Sequence, residues 1–235
     1  YYDVITGVPS IEKLISTPAI GSNIDGIAFY DNGDFAVVSA SAERFVKFAC
    51  NIEIPVQAPL KGIVKRALTV GESTVVLTHE ADGTPHIYNI KGEKFAEVSQ
   101  VGVVPVDTAN ASDFLAISDI AVTEDGKLVA TNYIVCQSGD DQVVAGDKRG
   151  EARFYIWDNL NADPTIWFTS KMSSNWYQSK QGLTMAVKGT SENATILTTG
   201  IHKTKFWARF SSYRVIDGKF VEPDVNNNDY YHFYD

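Results

Sequence analysis

The chain has 235 residues and sets 20 Lys and Arg against 29 Asp and Glu, a net charge of −9 with neither sign gathered into a long run. That balance excludes a nucleic-acid partner, which needs clustered basic surface, and 44% apolar content excludes a largely disordered chain. No apolar run approaches the ~20 residues of a membrane-crossing helix, so no transmembrane segment is expected.

The chain opens on Tyr1-Tyr2-Asp3 without an initiator Met, as expected of a processed or excised piece of a longer product. Over residues 1–20, Tyr2–Thr6 and Ile11–Ile15 read as short strands punctuated by Pro9 and Pro18. The first complete unit spans residues 21–60. In it Ile27, Phe29, Phe35 and Val37 alternate on either side of Asp31-Asn32-Gly33-Asp34, a turn of residues that tolerate positive φ. An aromatic strand around Phe45 and an outer strand at Ile52–Val56 follow.

The second unit, 61–105, reads as four strands in order. Ala67–Val70 turns at Gly71 into Thr74–Thr78, and His86–Ile90 turns at Gly92 into Lys94–Val98. The third, 113–170, holds the clearest copy of the pattern, Ser118 to Asn132 around Glu124-Asp125-Gly126-Lys127, and then Ala152–Trp157 and Thr165–Phe168. Its second and third strands are separated by the polar stretch 137–150, a length of loop that is uncommon without a role. The fourth, 180–223, pairs Leu183–Val187 with Ala194–Thr199 and continues through Phe206–Phe210, Tyr213–Ile216 and Lys219–Val221.

Repetition of an all-strand unit at tens of residues predicts an all-β, β-propeller-like fold of about four to five four-stranded antiparallel blades. One domain, or a fragment of a larger ring, is expected over 1–235. No apolar stripe of helical period is present. The turn centres Gly33, Gly71, Gly126 and Glu192 lie 38, 55 and 66 residues apart, so loop lengths vary between blades. A propeller supports many chemistries, so the fold leaves activity open.

The stretches SDIAVTEDGKLVATN and ARFYIWD, with the turn NLNADP after them, resemble secreted β-propeller lipoprotein-type proteins of unknown function from Bacteroidetes. The resemblance covers about 50 residues strongly. It implies an exported protein, periplasmic or on the cell surface and lipid-anchored through a segment outside this chain, and it implies no catalytic residue.

Several groups invite a functional reading beside a structural one. Asp140, Asp141 and Asp147 offer oxygen ligands for Ca²⁺ on a pliable loop, or they are a solvated insertion. The run Asp224 to Asp235 follows the opening of a Ca²⁺ loop but lacks its Gly and its final Glu. Asn175, Trp176, Tyr177 and Gln178 lie on a polar loop, where rings suit stacking on a sugar and amides suit its hydroxyls, or where they pack over the end of the ring. Trp157, Trp167 and Trp207 fall in strand patterns and read as core. His79-Glu80 and His202 end equivalent strands of two blades, and such ends converge on one rim of a propeller; they are candidates for a polar constellation or are structural. Cys50 and Cys136 have no metal-site spacing and read as buried thiols, with a disulfide left open.

Three functions remain. The first is a non-catalytic module that binds a glycan, peptide or partner protein. The second is a hydrolase, lactonase or lyase with a site in the axial channel, which would need acids or His at the starts of inner strands; Asp25 and Asp119 are the acids there, beside Lys65, Arg66 and Gln181. The third is a structural subunit completed by further blades or subunits.

Overall fold

A computed structural model describes residues 23–49, 52–104, 114–135, 151–171, 179–202, 208–221 and 230–233. Every regular element among them is a strand. The first antiparallel sheet is β1 (Gly26–Phe29), β2 (Phe35–Ser39), β3 (Arg44–Ala49) and β4 (Ile52–Gln57), paired in that order. The second is β5 (Ile63–Val70), β6 (Ser73–His79), β7 (Pro85–Lys91) and β8 (Lys94–Glu97). The third is β9 (Phe114–Val122), β10 (Leu128–Val135), β11 (Glu151–Trp157) and β12 (Thr165–Lys171). The fourth is β13 (Ser179–Gly189), β14 (Ala194–His202), β15 (Ala208–Ile216) and β16 (Lys219–Val221), to which β17 (Tyr230–Phe233) adds along β15. The third and fourth share pairing where Ile134 and Val135 meet Gln181 and Lys180. The innermost strands neighbour one another in sequence, β1 on β5, β5 on β9 and β9 on β13. The fold is a β-propeller, and the blades stand around that row of inner strands.

The turns explain why the pattern repeats. Gly33 N–H bonds back to Tyr30 O and Tyr30 N–H to Asp34 O; in the third blade Gly126 bonds Thr123 O and Thr123 bonds Lys127 O in the same way. Each is a three-residue hairpin connection whose last residue must be left-handed, and Gly33 and Gly126 supply it at φ 87° and 80°.

A four-stranded blade has two apolar faces and cannot cover either alone, so the core sits between blades. Val38, Phe45 and Tyr30 meet Val76, Tyr88 and Ile90 between the first two. Val75, Leu77 and Ile87 meet Ile120, Leu128 and Trp157 between the second and third. Val129, Phe154 and Phe168 meet Met185, Ile196 and Tyr213 between the third and fourth. Adjacent residues of a central strand therefore serve opposite interfaces, which is why β6 is buried from Ser73 to His79 without alternation. The β9–β10 register shifts where Ala116, Ile117 and Ser118 stand against Asn132 alone, and beyond it Ile134 joins Val129 in the third interface.

Ile120, Leu128, Val129, Phe154 and Ile156 are buried as the sequence predicts. Val122, an apolar residue of the same strand pattern, is half-buried, because it pairs with Leu128 beside the turn, where the blade reaches its rim. Trp157 is fully buried and Trp167 packs half-buried against the third interface; Trp207, Cys50, Cys136 and residues 1–22 lie outside the described residues.

Polar ties orient this packing. Arg66 of β5 grips Asp119 of β9 with Nε at 2.9 Å and Nη2 at 2.5 Å. The same carboxylate accepts the N–H of Ile120 at 2.9 Å and of Met185, on β13, at 2.7 Å. At the hairpin turns, Asp125 accepts Ser191 N–H at 2.8 Å and its hydroxyl at 2.6 Å, and Glu124 and Gly189 exchange a further pair of bonds. Partial burial of Asp125 opposes its charge, but the bonds from Ser191 and Thr123 outweigh that and hold its carboxyl at about 2.

Two outcomes follow from these ties. Arg66→Ala leaves the Asp119 carboxylate, 4% exposed, without its cation; unfolding free energy from denaturant titration should drop by roughly 2–3 kcal/mol. Lys127→Ala, which breaks an exposed pair with Asp158, should leave it unchanged within error. Asp125 has a folded pKa below its ordinary value of 3.8, so its stabilisation is present above that value and is lost as pH falls through about 2. The destabilisation caused by Ser191→Ala should accordingly be constant from pH 7 to pH 5 and shrink between pH 4 and pH 2, as read from thermal melts.

Candidate functional site

Because strands alternate in direction, the starts of the inner strands and the ends of the second strands gather on one face of the propeller. At the axis on that face lies a cavity of about 290 Å³. Lys65 of β5 and His79 of β6 line it from the second blade. Leu115 and Ser118 of β9 and Tyr133 of β10 line it from the third, and Leu183 of β13 from the fourth.

Each polar group owes its place to the fold. His79 is 6% exposed and donates from Nε2 to Ile117 O at 2.9 Å. Burial pushes its pKa down and the nearby Lys65 charge adds to this, so the ring is neutral at pH 7. The Ser118 hydroxyl lies between Thr131 O and Gly182 O, where β13 crosses close to β10. Gly182 stands there with φ 81°, and a side chain would strike the carbonyl of Asn132. Asp119 lies one residue further along β9 with both oxygens engaged by Arg66, Ile120 and Met185. The chamber thus offers one ammonium group, one neutral imidazole, the hydroxyls of Ser118 and Tyr133, and apolar walls. That set can hold a small polar group against an apolar surface; its acid is already committed to architecture.

Of the residues singled out in the sequence, His79 is in the cavity wall. Glu80 turns away from it and bonds His86 at 2.7 Å. His202 closes β14 opposite Ser179, the register place His79 holds in β6 opposite Ile63. Asp25 accepts Ala40 N–H at 2.8 Å within its own blade. Asn175, Trp176, Tyr177, Gln178, Asp140, Asp141 and Asp147 lie outside the described residues, as does most of the run from Asp224. The strand ends that flank these loops are described: Glu151 pairs with Lys171, and Val135 with Lys180. The insertion 136–150 and the connection 172–178 therefore both leave from the cavity face.

The sequence reading missed Leu115, Tyr133 and Leu183 as cavity residues, and it missed the pairing of His86 with Glu80 and Glu97. Among the described residues no group of three His, Cys, Asp or Glu side chains is placed to hold a metal. On the opposite face, a cleft of about 650 Å³ between the first two blades is lined by Tyr30, Phe45 and Ile90; its Lys47 pairs with Asp34 and its Lys91 with Glu72.

No protein-family model matches the chain, and no curated protein matches it. Among solved structures, YCF48 bound to D1 peptide aligns over 83% of this chain and 64% of that one, at 10% identity and a TM-score of 0.40. A β-fructofuranosidase from Schwanniomyces occidentalis, complexed with fructosyl-erythritol, aligns over 86% and 45%, at 10% identity and a TM-score of 0.43. A Bombyx mori GH32 β-fructofuranosidase in complex with sucrose aligns over 88% and 48%, at 12% identity and a TM-score of 0.41. The chain spans less than two thirds of the length of each, and at these identities the likeness concerns architecture alone.

Proposed function

We infer that the chain is an exported, non-catalytic binding propeller that recognises a glycan, peptide or partner protein on its cavity face. One observation carries the reading: the strand ends flanking both long polar connections, Val135 with Lys180 and Glu151 with Lys171, lie on the face of the propeller that holds the axial cavity. Binding residues concentrate on loops held over a rigid scaffold. In this reading Trp176 and Tyr177 stack on the ligand, Asn175 and Gln178 bond its polar groups, and His79 and His202 border it. Export, and anchoring through a segment outside this chain, rest on the resemblance of the third blade to secreted lipoprotein-type propellers. Ca²⁺ on Asp140, Asp141 and Asp147 would brace the insertion.

A second reading, a structural subunit joined by further blades or subunits, draws on Leu197 and Ile216, which are 40% and 45% exposed on the fourth blade. An axial-channel enzyme is less well supported, since Asp25 and Asp119, the acids at the starts of inner strands, already accept structural hydrogen bonds.

Screening the purified chain on glycan and peptide arrays should yield a ligand, and Trp176→Ala should weaken it by roughly 1–3 kcal/mol, the scale of a truncated aromatic anchor. Trp167→Ala, a change in the third interface, should lower the melting temperature instead. A hit whose affinity survives loss of both Trp176 and Tyr177 would rule out this surface, and an array without any hit would favour the structural subunit.

A further inference from the structure

His86, on β7, touches two carboxylates at once. Its Nδ1 lies 2.7 Å from Glu97 Oε1 and its Nε2 2.7 Å from Glu80 Oε1. A neutral imidazole has one N–H and one lone pair and can donate to only one of them. With both acids ionised, both bonds form only when the ring is an imidazolium. Tyr88 stacks on the ring at 5.9 Å, and Asp82, in the turn beyond Glu80, adds a third negative charge nearby. Burial works against the charge on His86, but Glu97 and Glu80 outweigh it and hold the imidazolium above the ordinary histidine range.

The two acids differ in how firmly their backbones are held. Glu97 is fixed in β8 opposite Tyr88. Glu80 lies past the end of β6, in a turn whose backbone bonds among the described residues are its own, Glu80 N–H to Thr84 O, Gly83 N–H to Glu80 O and Thr84 N–H to Asp82 Oδ1. That turn leans on the axial chamber: a methyl group on Gly83 would come within 2.9 Å of Leu115 Cδ2, and Leu115 lines the cavity.

We propose that His86 is a proton-operated latch on the 80–84 turn, closed while the imidazolium bridges Glu80 and Glu97 and released when it loses its proton, so that the wall of the axial cavity loosens as pH rises. On deprotonation one ring nitrogen presents a lone pair to a carboxylate, and Glu80, on the less anchored element, is the partner that leaves. The sign follows from linkage. His86 has a raised folded pKa, so the latch is fully closed below the ordinary value of 6.5 and opens as pH rises through the folded value. The significance of the latch for ligand capture rests on the binding role inferred for the cavity face; the latch itself does not.

The test therefore uses the ligand-free chain. Histidine-selective ¹⁵N labelling and NMR titration from pH 5 to pH 9 should show His86 protonated on both nitrogens at pH 6, with a midpoint above that of His79, which is buried and lowered. Glu80→Gln and Glu97→Gln should each lower that midpoint. Hydrogen exchange at the Gly83 amide, corrected for the intrinsic pH dependence, should lose protection across the same range, about tenfold for each pH unit by which His86 exceeds the ordinary value. Amides of β6 should not follow. Melting curves of the two Gln variants check that they fold, both acids being half-exposed. A His86 midpoint at or below 6.5, or Gly83 protection constant through the titration, would overturn the latch, whether or not the arrays find a ligand.

Discussion

The carboxylate of Asp119 is where three blades meet. It takes two bonds from Arg66 of β5, one from the backbone of its own strand and one from Met185 of β13, and Arg66 also reaches Met185 O at 3.2 Å. Burying an acid is costly unless its charge is matched and its lone pairs are filled. Here the planar guanidinium fork and two backbone amides do both. The apolar interfaces supply most of the energy of stacking but are tolerant of sliding, whereas these bonds have direction and fix how β5, β9 and β13 stand relative to one another. The first blade lies outside the arrangement. It joins the second through the hydroxyls of Tyr30 and Thr74 and through Thr69, which donates to Phe29 O at 2.7 Å.

This use of Asp119 shapes the chemistry above it. An axial carboxylate is the natural starting point for acid–base or metal-assisted catalysis in a channel between blades, and here its lone pairs are spent on backbone and guanidinium. The neighbouring imidazole, His79, is held neutral with its Nε2 proton on Ile117 O, which leaves Nδ1 as its acceptor. What remains open in the cavity is Lys65 and the sides of Leu115, Tyr133 and Leu183.

The parts of this design legible in the sequence are the local ones. Asp31-Asn32-Gly33 and Glu124-Asp125-Gly126 declare their turns because only a left-handed glycine completes them. The four strand sets follow from those turns and from continuous apolar runs such as Val75-Val76-Leu77, which mean a strand covered on both faces. The tertiary ties were hidden for a physical reason. Arg66 and Asp119 are 53 residues apart and meet only because adjacent inner strands place them side by side; opposite charges at matching places in neighbouring blades were the available sign of it. His86 and Glu97 are 11 residues apart, but their meeting depends on the register that sets Tyr88 opposite Glu97. β17 had no turn signal to announce it. The aromatic loop around Trp176 was conspicuous in sequence because it breaks the strand pattern, and the same irregularity removes the constraints from which a local conformation is deduced.

The two faces of the propeller consequently differ in kind. On the hairpin face, Asp125 is fastened to Ser191 and Glu124 to Gly189, so the third and fourth blades are stapled turn to turn. On the cavity face, the second blade ends in a turn whose tether runs through an ionisable ring, and the third and fourth end in long polar connections. Interfaces buried on both sides of β6 and β10 leave little freedom inside those blades. In the binding reading proposed for the cavity face, adjustment to a ligand therefore belongs where chain leaves the sheets, on the side that holds the axial cavity.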